Sequence, residues 1–204
     1  MKNIFNYIVL GVLIAFTVTS CSRKKDKFLN RSWHSVNTKY NVLYNGNVAL
    51  ESGKISVIAD YKDNYWEILP VERLQITDDI VISTKSKNPN IELAEVKAVK
   101  AIQKHGMNIK GKEKNPQIDE AYILLGKARY FDGRFAQALD AFNFILKTYP
   151  TSNNINQAKV WRAKTQIRLD NEEIAIENLL KMNKNKEINK EDLAEASAIL
   201  AQAM

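Results

Sequence analysis

The stretch from Asp119 to Ser152, DEAYILLGKARYFDGRFAQALDAFNFILKTYPTS, decides the fold of this 204-residue chain. Its apolar residues recur three and four positions apart in two successive stripes, which is typical of amphipathic helices. Gly133 lies between the stripes and can adopt the positive φ that a tight turn requires. The sequence therefore predicts a helix–turn–helix unit. The stripes consist of Ala121, Leu124, Leu125, Ala128 and Phe131 in the first helix, and of Phe135, Ala138, Leu139, Phe142, Ile145, Leu146 and Tyr149 in the second.

The unit resembles a tetratricopeptide repeat, which is a helix–turn–helix of about 34 residues. Two small residues, Gly126 and Ala138, would let the helices approach closely, and Pro150 cannot continue the second helix. The alternative interpretation is an unrelated helical hairpin. The positions that match the repeat signature are Tyr122, Leu125, Gly126, Gly133, Ala138, Phe142 and Pro150.

The same pattern returns further along the chain. Residues 155–184 are predicted to form a second repeat, in which Ala158, Ala163, Ala175 and Leu179 follow their counterparts of the first repeat by 37 positions. Residues 191–204 are predicted to begin a third repeat, which is truncated. Because terminal repeats of solenoids need a polar cap, we expect a longer solenoid or a partner that covers this end. The predicted fold class is all-α, a tetratricopeptide-repeat α-solenoid of antiparallel helical hairpins.

Residues 32–106 are predicted to form an N-terminal helical region that contains a degenerate repeat. A helix with an apolar face is expected to stop at Asn45-Gly46, and a second helix is expected from about Val48 to Tyr61. Asn-Gly is also a strong β-hairpin signal, but the helical spacing favours helices. Residues 66–88 are predicted to be an irregular connector, whose length suggests an interaction. Asn88-Pro89 should begin the next helix, which Gly106 ends. The expected apolar face of the first helix consists of Trp33, Val36, Tyr40, Leu43 and Tyr44.

The beginning of the chain is typical of an exported lipoprotein. In residues 1–20, Lys2 precedes a mostly apolar run, as in a secretory signal peptide that is too short to span a membrane. Val18-Thr19-Ser20-Cys21 resembles a lipobox, which implies cleavage before Cys21 and acylation of that residue. A plain signal peptide with an incidental cysteine is the alternative. Cys21 is the only cysteine, so no disulfide framework is expected.

The chain is basic, with a formal net charge of +7. Residues 21–31 are predicted to form a basic tether that would be attracted to anionic headgroups. Nucleic acid is the other common partner of basic chains, but the predicted export and the lack of a recognition motif argue against it. The cations of the tether are Arg23, Lys24, Lys25, Lys27 and Arg31.

No pattern of catalytic or metal-ligating residues is evident. His34 and His105 each lack a second ligand three or four positions away, and there is no glycine-rich phosphate loop. We therefore expect a non-enzyme with no cofactor, no metal and no small-molecule substrate, whose repeats present a surface to other proteins.

Aromatic and arginine side chains are the preferred anchors of protein interfaces. For the aromatic candidates, packing in the core is the favoured alternative, whereas the arginines are expected to be exposed. The candidate partner-binding residues are Arg129, Tyr130, Arg134, Trp161, Arg162 and Arg168.

Several strings together resemble the SprE/PorW family, the tetratricopeptide-repeat lipoproteins of gliding motility and type IX secretion in Bacteroidetes. The most distinctive strings are KYNVLYNG at 39–46 and EKNPQIDEAY at 113–122, and further matches lie at 66–71, 125–130, 141–145 and 161–165. Family members are longer, so this chain corresponds to their N-terminal part.

The resemblance implies an accessory protein on the periplasmic face of the outer membrane. Its implied partners are ring, motor or translocon components of the type IX secretion system, and no catalysis is implied. Two alternatives remain: an outer-membrane barrel-assembly lipoprotein, which can carry such repeats, and a sugar-binding lipoprotein of a nutrient-uptake system, which would need a ligand-binding insertion that the sequence lacks.

Overall fold

A computed structural model describes residues 22–66, 69–74, 88–185 and 188–204 of the chain. The predicted signal peptide, the predicted acylation site Cys21 and most of the predicted connector lie outside these residues. The described residues are mostly helical, and their only sheet is a two-stranded hairpin. The expected all-α class is therefore confirmed. The helices are α1 (Phe28–Asn37), α2 (Tyr44–Ala59), α3 (Pro89–Lys100), α4 (Ile118–Phe131), α5 (Phe135–Thr148), α6 (Ile155–Ile167), α7 (Glu172–Asn183) and α8 (Lys190–Ala203).

Residues 119–152 form the predicted hairpin of α4 and α5. Gly133 lies in the turn with a φ of 75°, as expected. A Cβ on Gly126 would lie 2.4 Å from Cε1 of Phe142, so the close approach of the two helices requires glycine there. Helix α5 ends at Thr148, two residues before Pro150. These local predictions are confirmed.

The later helices continue this arrangement. Helix α6 packs on α5, α7 packs on α6, and α8 packs on both α6 and α7. Their bounds agree closely with the ranges expected for the second repeat and for the start of the third. Each helix thus buries its apolar face against its neighbours in sequence.

The predicted interruption at Asn45-Gly46 is wrong. A continuous helical segment runs from Phe28 to Ala59, and it passes through a π-helical stretch, Thr38–Leu43, between α1 and α2. Gly46 is buried within α2, where a Cβ would lie 2.6 Å from Cδ2 of Leu124. The glycine permits close helix packing instead of a turn. Helix α1 also begins at Phe28, inside the range expected for the basic tether.

The antiparallel partner of α2 is therefore α3, which lies beyond the connector. Asn88 caps α3 as predicted, since its side chain accepts hydrogen bonds from the backbone N–H groups of Asn90 and Ile91, and Pro89 is in the first turn. A π-helical stretch, Ala101–His105, follows α3 and ends at Gly106, as expected. Strands β1 (Asn108–Ile109) and β2 (Lys112–Glu113) then form a short antiparallel hairpin before α4.

The predicted apolar face of the first helix is largely wrong. Trp33, Val36, Tyr40 and Tyr44 are exposed, and of the five residues only Leu43 is buried. The side of α1 that faces the protein carries the polar residues Asn30 and His34. Thr38, the first residue of the π-helical stretch, continues this side and accepts from the amide of Asn115 at 3.0 Å.

The core has two parts. The larger part extends from α2 to α6 and contains most of the buried aromatic residues, including Tyr130, Phe142 and Trp161. The smaller part lies among α6, α7 and α8 and is built of aliphatic residues with several alanines. The helix order places α2, α4, α6 and α8 beside one cleft, which is the candidate site.

Candidate functional site

A cleft of about 290 Å³ is bounded by helices α2, α4, α6 and α8. Lys54 of α2, Phe131 of α4, Lys164 of α6 and Glu195 of α8 contribute to its wall. We call this space the inner cleft. Its lining combines apolar side chains, such as Phe131 and Ile199, with charged ones, a combination suited to a peptide segment that has both kinds of side chain.

A segment of the chain itself, residues 69–74, lies at the inner cleft and forms part of its wall. The backbone N–H of Val71 donates to Oε1 of Gln202 in α8 at 2.9 Å. Leu74 is 7% exposed and joins the larger core. Outside regular secondary structure, the segment depends on side chains of the neighbouring helices for its position.

Glu72 is the centre of these contacts. Its carboxylate accepts from Nζ of Lys164 at 2.6 Å and from the hydroxyl of Tyr130 at 2.6 Å. Arg168 donates from Nε to the Tyr130 hydroxyl at 3.2 Å and from Nη2 to the backbone carbonyl of Glu72 at 3.4 Å. Helices α4 and α6 therefore bind the carboxylate of Glu72, and the loop after α6 binds its backbone carbonyl.

Lys164 is 4% exposed, and a buried ammonium is costly unless it is paired. It has two carboxylate partners, Glu72 and Glu195 of α8, and its Nζ lies 4.1 Å from the ring centroid of Trp161. Nζ of Lys127 lies 4.9 Å from the same centroid, and burial lowers the pKa of its ammonium. The cleft wall thus holds a buried lysine that is paired with two carboxylates.

Tyr130 is 1% exposed and supplies the hydroxyl between Glu72 and Arg168. Burial, followed by the negative charge of Glu72, raises the pKa of the Tyr130 hydroxyl well above its ordinary value. The phenol therefore stays protonated and remains a hydrogen-bond donor to the carboxylate.

A second charged cluster joins α3 to the α4–α5 hairpin. Glu95 accepts from Nε of Arg129 at 2.9 Å and also binds Nη2 of Arg134. Arg134 donates in addition from Nε to Asp132 at 2.6 Å. Burial alone would raise the pKa of the Glu95 carboxyl, but the two arginines outweigh it, and the pKa lies below the ordinary value.

The six predicted partner-binding residues fall into three groups. Tyr130 and Arg168 meet at Glu72, and Trp161 packs beneath Lys164. Arg129 and Arg134 belong to the Glu95 cluster, and Arg162 belongs to neither. Packing in the core, the favoured alternative for the aromatics, holds for Tyr130 and Trp161, whose rings lie 5.3 Å apart.

The expectation that the arginines are exposed is wrong. The side chain of Arg134 is only 8% exposed, and none of the four arginines is in the exposed class. The Nε of Arg162 is buried with no hydrogen-bond partner among the described residues, and burial lowers the pKa of this guanidinium. The physical reason is cover by distant parts of the chain: the Glu95 carboxylate binds Arg129 and Arg134, and the backbone carbonyl of Glu72 binds Arg168.

Sequence reasoning missed Glu72, Lys164 and Glu195, because ion pairs between residues 31 to 92 positions apart leave no local pattern. A weak signal existed in the connector, where Leu69-Pro70-Val71 combines apolar side chains with a proline that favours extended backbone.

The fold also brings the two histidines together. Nδ1 of His34 lies 3.2 Å from Nδ1 of His105, at the contact between α1 and the π-helical stretch after α3. Burial, then the charges of His34 and Lys100, lower the pKa of the His105 imidazole. Among the described residues no group of three His, Cys, Asp or Glu side chains is arranged to hold a metal ion.

The cleft side chains therefore bind a carboxylate of the chain's own irregular segment 69–74. Within the described ranges, no helix is long and apolar enough to cross a bilayer. Comparison with models of protein families and with curated proteins gives no match to this chain.

Proposed function

We propose that this protein is a membrane-tethered tetratricopeptide-repeat scaffold that binds other proteins through its inner cleft. The observation that carries the proposal is the irregular segment 69–74, held at the cleft by side chains of α4, α6 and α8 and of the loop after α6. A helical surface that binds one segment without helix or strand has polar groups that can bind another.

The repeat assignment is supported by local geometry. The close contact of Gly126 with Phe142 and the positive φ of Gly133 are what the repeat signature requires at those positions. The succession of α4–α5, α6–α7 and α8, each packed on its neighbours, supports a solenoid.

The biological setting is proposed from the resemblance to the SprE/PorW family. In this setting the protein serves type IX secretion and gliding motility, with Cys21 acylated and the chain held on the periplasmic face of the outer membrane. Its partners are ring, motor or translocon components, bound without catalysis and without a cofactor.

A first test is deletion of the gene. We expect reduced secretion of cargo that carries the C-terminal type IX signal, together with reduced colony spreading. Normal secretion and normal spreading would contradict the proposed setting, and restoration by the full-length gene is the control.

A second test is site-specific photo-crosslinking in native membranes. A photoreactive residue at Arg73, which is exposed and lines the inner cleft, is expected to capture secretion-system components. The same residue at Ile174, which is 51% exposed on α7, is the matched control. Capture of barrel-assembly proteins from Arg73 would favour the barrel-assembly alternative instead, and equal capture from both positions would contradict a role for the cleft.

A further inference from the structure

Helix α1 and the segment after it present an apolar stripe to solvent. Six apolar or aromatic residues recur at intervals of three or four along this side, and we call them the exposed stripe. Each of them is between 52% and 74% exposed. The opposite side of the same segment, with His34, Thr38 and Val42, is buried against the protein. The exposed stripe consists of Leu29, Trp33, Val36, Tyr40, Tyr44 and Val48.

The charge around the exposed stripe is strongly one-sided. Residues 22–43 and 97–114 contain twelve Lys and Arg residues and only two acids. The whole chain has 30 basic and 23 acidic residues, so the remainder has 18 basic and 21 acidic residues and is net negative. The two ranges are neighbours in space, since Asn115, directly after them, binds Thr38, and His105 contacts His34. One end of the molecule therefore carries the entire positive excess.

The two acids at this end are already occupied by internal partners. The Asp26 carboxylate pairs with Arg31 at 3.5 Å and with Lys114 at 3.3 Å. The Glu113 carboxylate accepts three backbone N–H groups, from Met107, Lys114 and Asn115, at 2.7 to 3.0 Å. Neither acid neutralises Lys24, Lys25 or Lys27, which are exposed where the stripe begins.

We propose that the exposed stripe docks on an anionic lipid surface, with α1 lying in the plane of the interface. Trp33, Tyr40 and Tyr44 have apolar rings with polar tips, and such residues concentrate at membrane–water interfaces. Lys and Arg beside an apolar helix face add electrostatic attraction to anionic headgroups. The inference extends the proposed membrane tethering, but it rests on α1 and does not require that Cys21 be acylated.

Lipid fits the surface better than the other occupants. A nucleic acid would use the cations but would leave Leu29, Val36 and Val48 against a charged backbone. An apolar protein groove would cover the stripe but would leave the cations beside it without anions. Anionic lipid supplies acyl chains and headgroups at the same boundary.

The docking is tested on vesicles with residues 22–204, which lack the predicted signal peptide and acylation site, and Trp33 is the reporter. Trp66 is 96% exposed and is replaced by Phe, so that the remaining tryptophans are Trp33 and the buried Trp161. Vesicles of phosphatidylglycerol and phosphatidylcholine with brominated acyl chains are compared with brominated phosphatidylcholine alone. We expect a blue shift and strong quenching of Trp33 on the anionic vesicles, and little of either on the neutral ones. Subtraction of the spectrum of the Trp33→Phe chain isolates the signal.

Two variants probe the apolar and the basic parts separately. Val36→Asp, which buries a charge in the interface, is expected to abolish the quenching, whereas the matched Ile174→Asp on α7 leaves it unchanged. The triple change Lys24→Gln, Lys25→Gln and Lys27→Gln is expected to lower the ratio of docked to undocked α1 about a hundredfold, at about fivefold for each charge. Far-UV circular dichroism confirms that each variant keeps its helices.

Three results would overturn the proposal: Trp33 emission that stays solvent-like on anionic vesicles, equal quenching on neutral vesicles, or stronger shielding of Trp33 by single-stranded DNA than by lipid. The measurement contains no secretion component. A negative result on vesicles with normal crosslinking from Arg73 would therefore reject the docking and leave the proposed scaffold function standing. Docking on vesicles without crosslinking from Arg73 would reject the scaffold function and leave the docking standing.

Discussion

Glu95 and Glu72 both accept hydrogen bonds from side chains of the α4–α5 hairpin, but they lie on different kinds of backbone. Glu95 is part of helix α3, which packs along α4, and it is paired with Arg129 and Arg134. Glu72 is part of a short segment without helix or strand, and it is paired with Lys164. The first glutamate fixes two helices that already touch, and the second fixes an irregular segment whose other contacts come from Val71, Arg73 and Leu74.

The difference separates a structural contact from a binding contact. If Glu95 were removed, Arg129 would lose its carboxylate partner, and Arg134 would keep only Asp132. If Glu72 were removed, Lys164 would still have Glu195, and we expect the helices to keep their arrangement. The scaffold that we propose needs a cleft that can exchange one carboxylate segment for another, and a cation that keeps a partner meets this need.

The largest effect is expected at the structural contact. Glu95→Gln should lower the free energy of unfolding by about 2 kcal/mol, because two poorly exposed guanidinium groups lose their shared anion. Urea unfolding followed by circular dichroism gives the value. The control is Glu92→Gln on the same helix, which is exposed and should change stability by less than about 0.5 kcal/mol. Equal effects of the two changes would show that Glu95 contributes no more than a surface charge.

A smaller effect is expected from acid at the His34–His105 contact. Because the folded-state pKa of His105 is lowered, the unfolded chain binds protons first as the pH falls, and folding loses stability below the unfolded pKa of about 6.5. We expect Tm to fall by about 2–4 °C between about pH 7.5 and pH 5.5. His105→Gln should remove this dependence.

The Glu95 cluster is expected to lose stability only in a more acidic range, so its effect can be distinguished by pH from that of His105. The lowered pKa of Glu95 means that its stabilisation is complete above the unfolded pKa of about 4.3 and is lost as the pH falls toward the folded value. A loss of stability that begins below about pH 4.5 in both the wild type and His105→Gln, but not in Glu95→Gln, would assign the acidic range to Glu95 and the range near pH 6.5 to His105. A single transition shared by all three chains would contradict the assignment.

The sequence predicted the α4–α5 hairpin well because its determinants are local. Gly133 and Pro150 act through their own backbone, and Gly126 acts through the next helix in the chain. Their spacing in the sequence is therefore enough to predict the hairpin. The cap of α3 by Asn88 was predictable for the same reason.

The failures occurred where tertiary partners decide the outcome. Asn45-Gly46 is a strong turn signal, yet Gly46 lies inside α2, where its missing side chain leaves room for Leu124. Trp33 and Tyr40 resemble core residues by spacing, yet they are exposed. The polar side of α1 and of the π-helical stretch is buried instead, since His34 and Thr38 find partners there. Periodicity reports that a helix has two faces, but it does not report which face meets the protein.

The candidate site was predictable only in part for the same reason. Tyr130, Trp161 and Arg168 were singled out by residue type, and they do meet at one place. Their common partner, Glu72, comes from a segment whose sequence has no regular period. Which arginines stay available to a ligand depends on where distant carboxylates fold, and no spacing in the chain encodes that.

The smallest effect on stability, and the sharpest test of the comparison, is expected from Glu72→Gln. The free energy of unfolding should change by less than about 0.5 kcal/mol, because Lys164 keeps Glu195 and the helices keep their packing. The segment itself should loosen, with faster hydrogen exchange at the Val71 amide by about tenfold. The matched control is Glu195→Gln, which leaves Glu72 on Lys164 and should keep Val71 protected. If Glu72→Gln instead destabilised the whole chain as much as Glu95→Gln does, segment 69–74 would be a permanent part of the core, and the inner cleft would have no exchangeable occupant to offer.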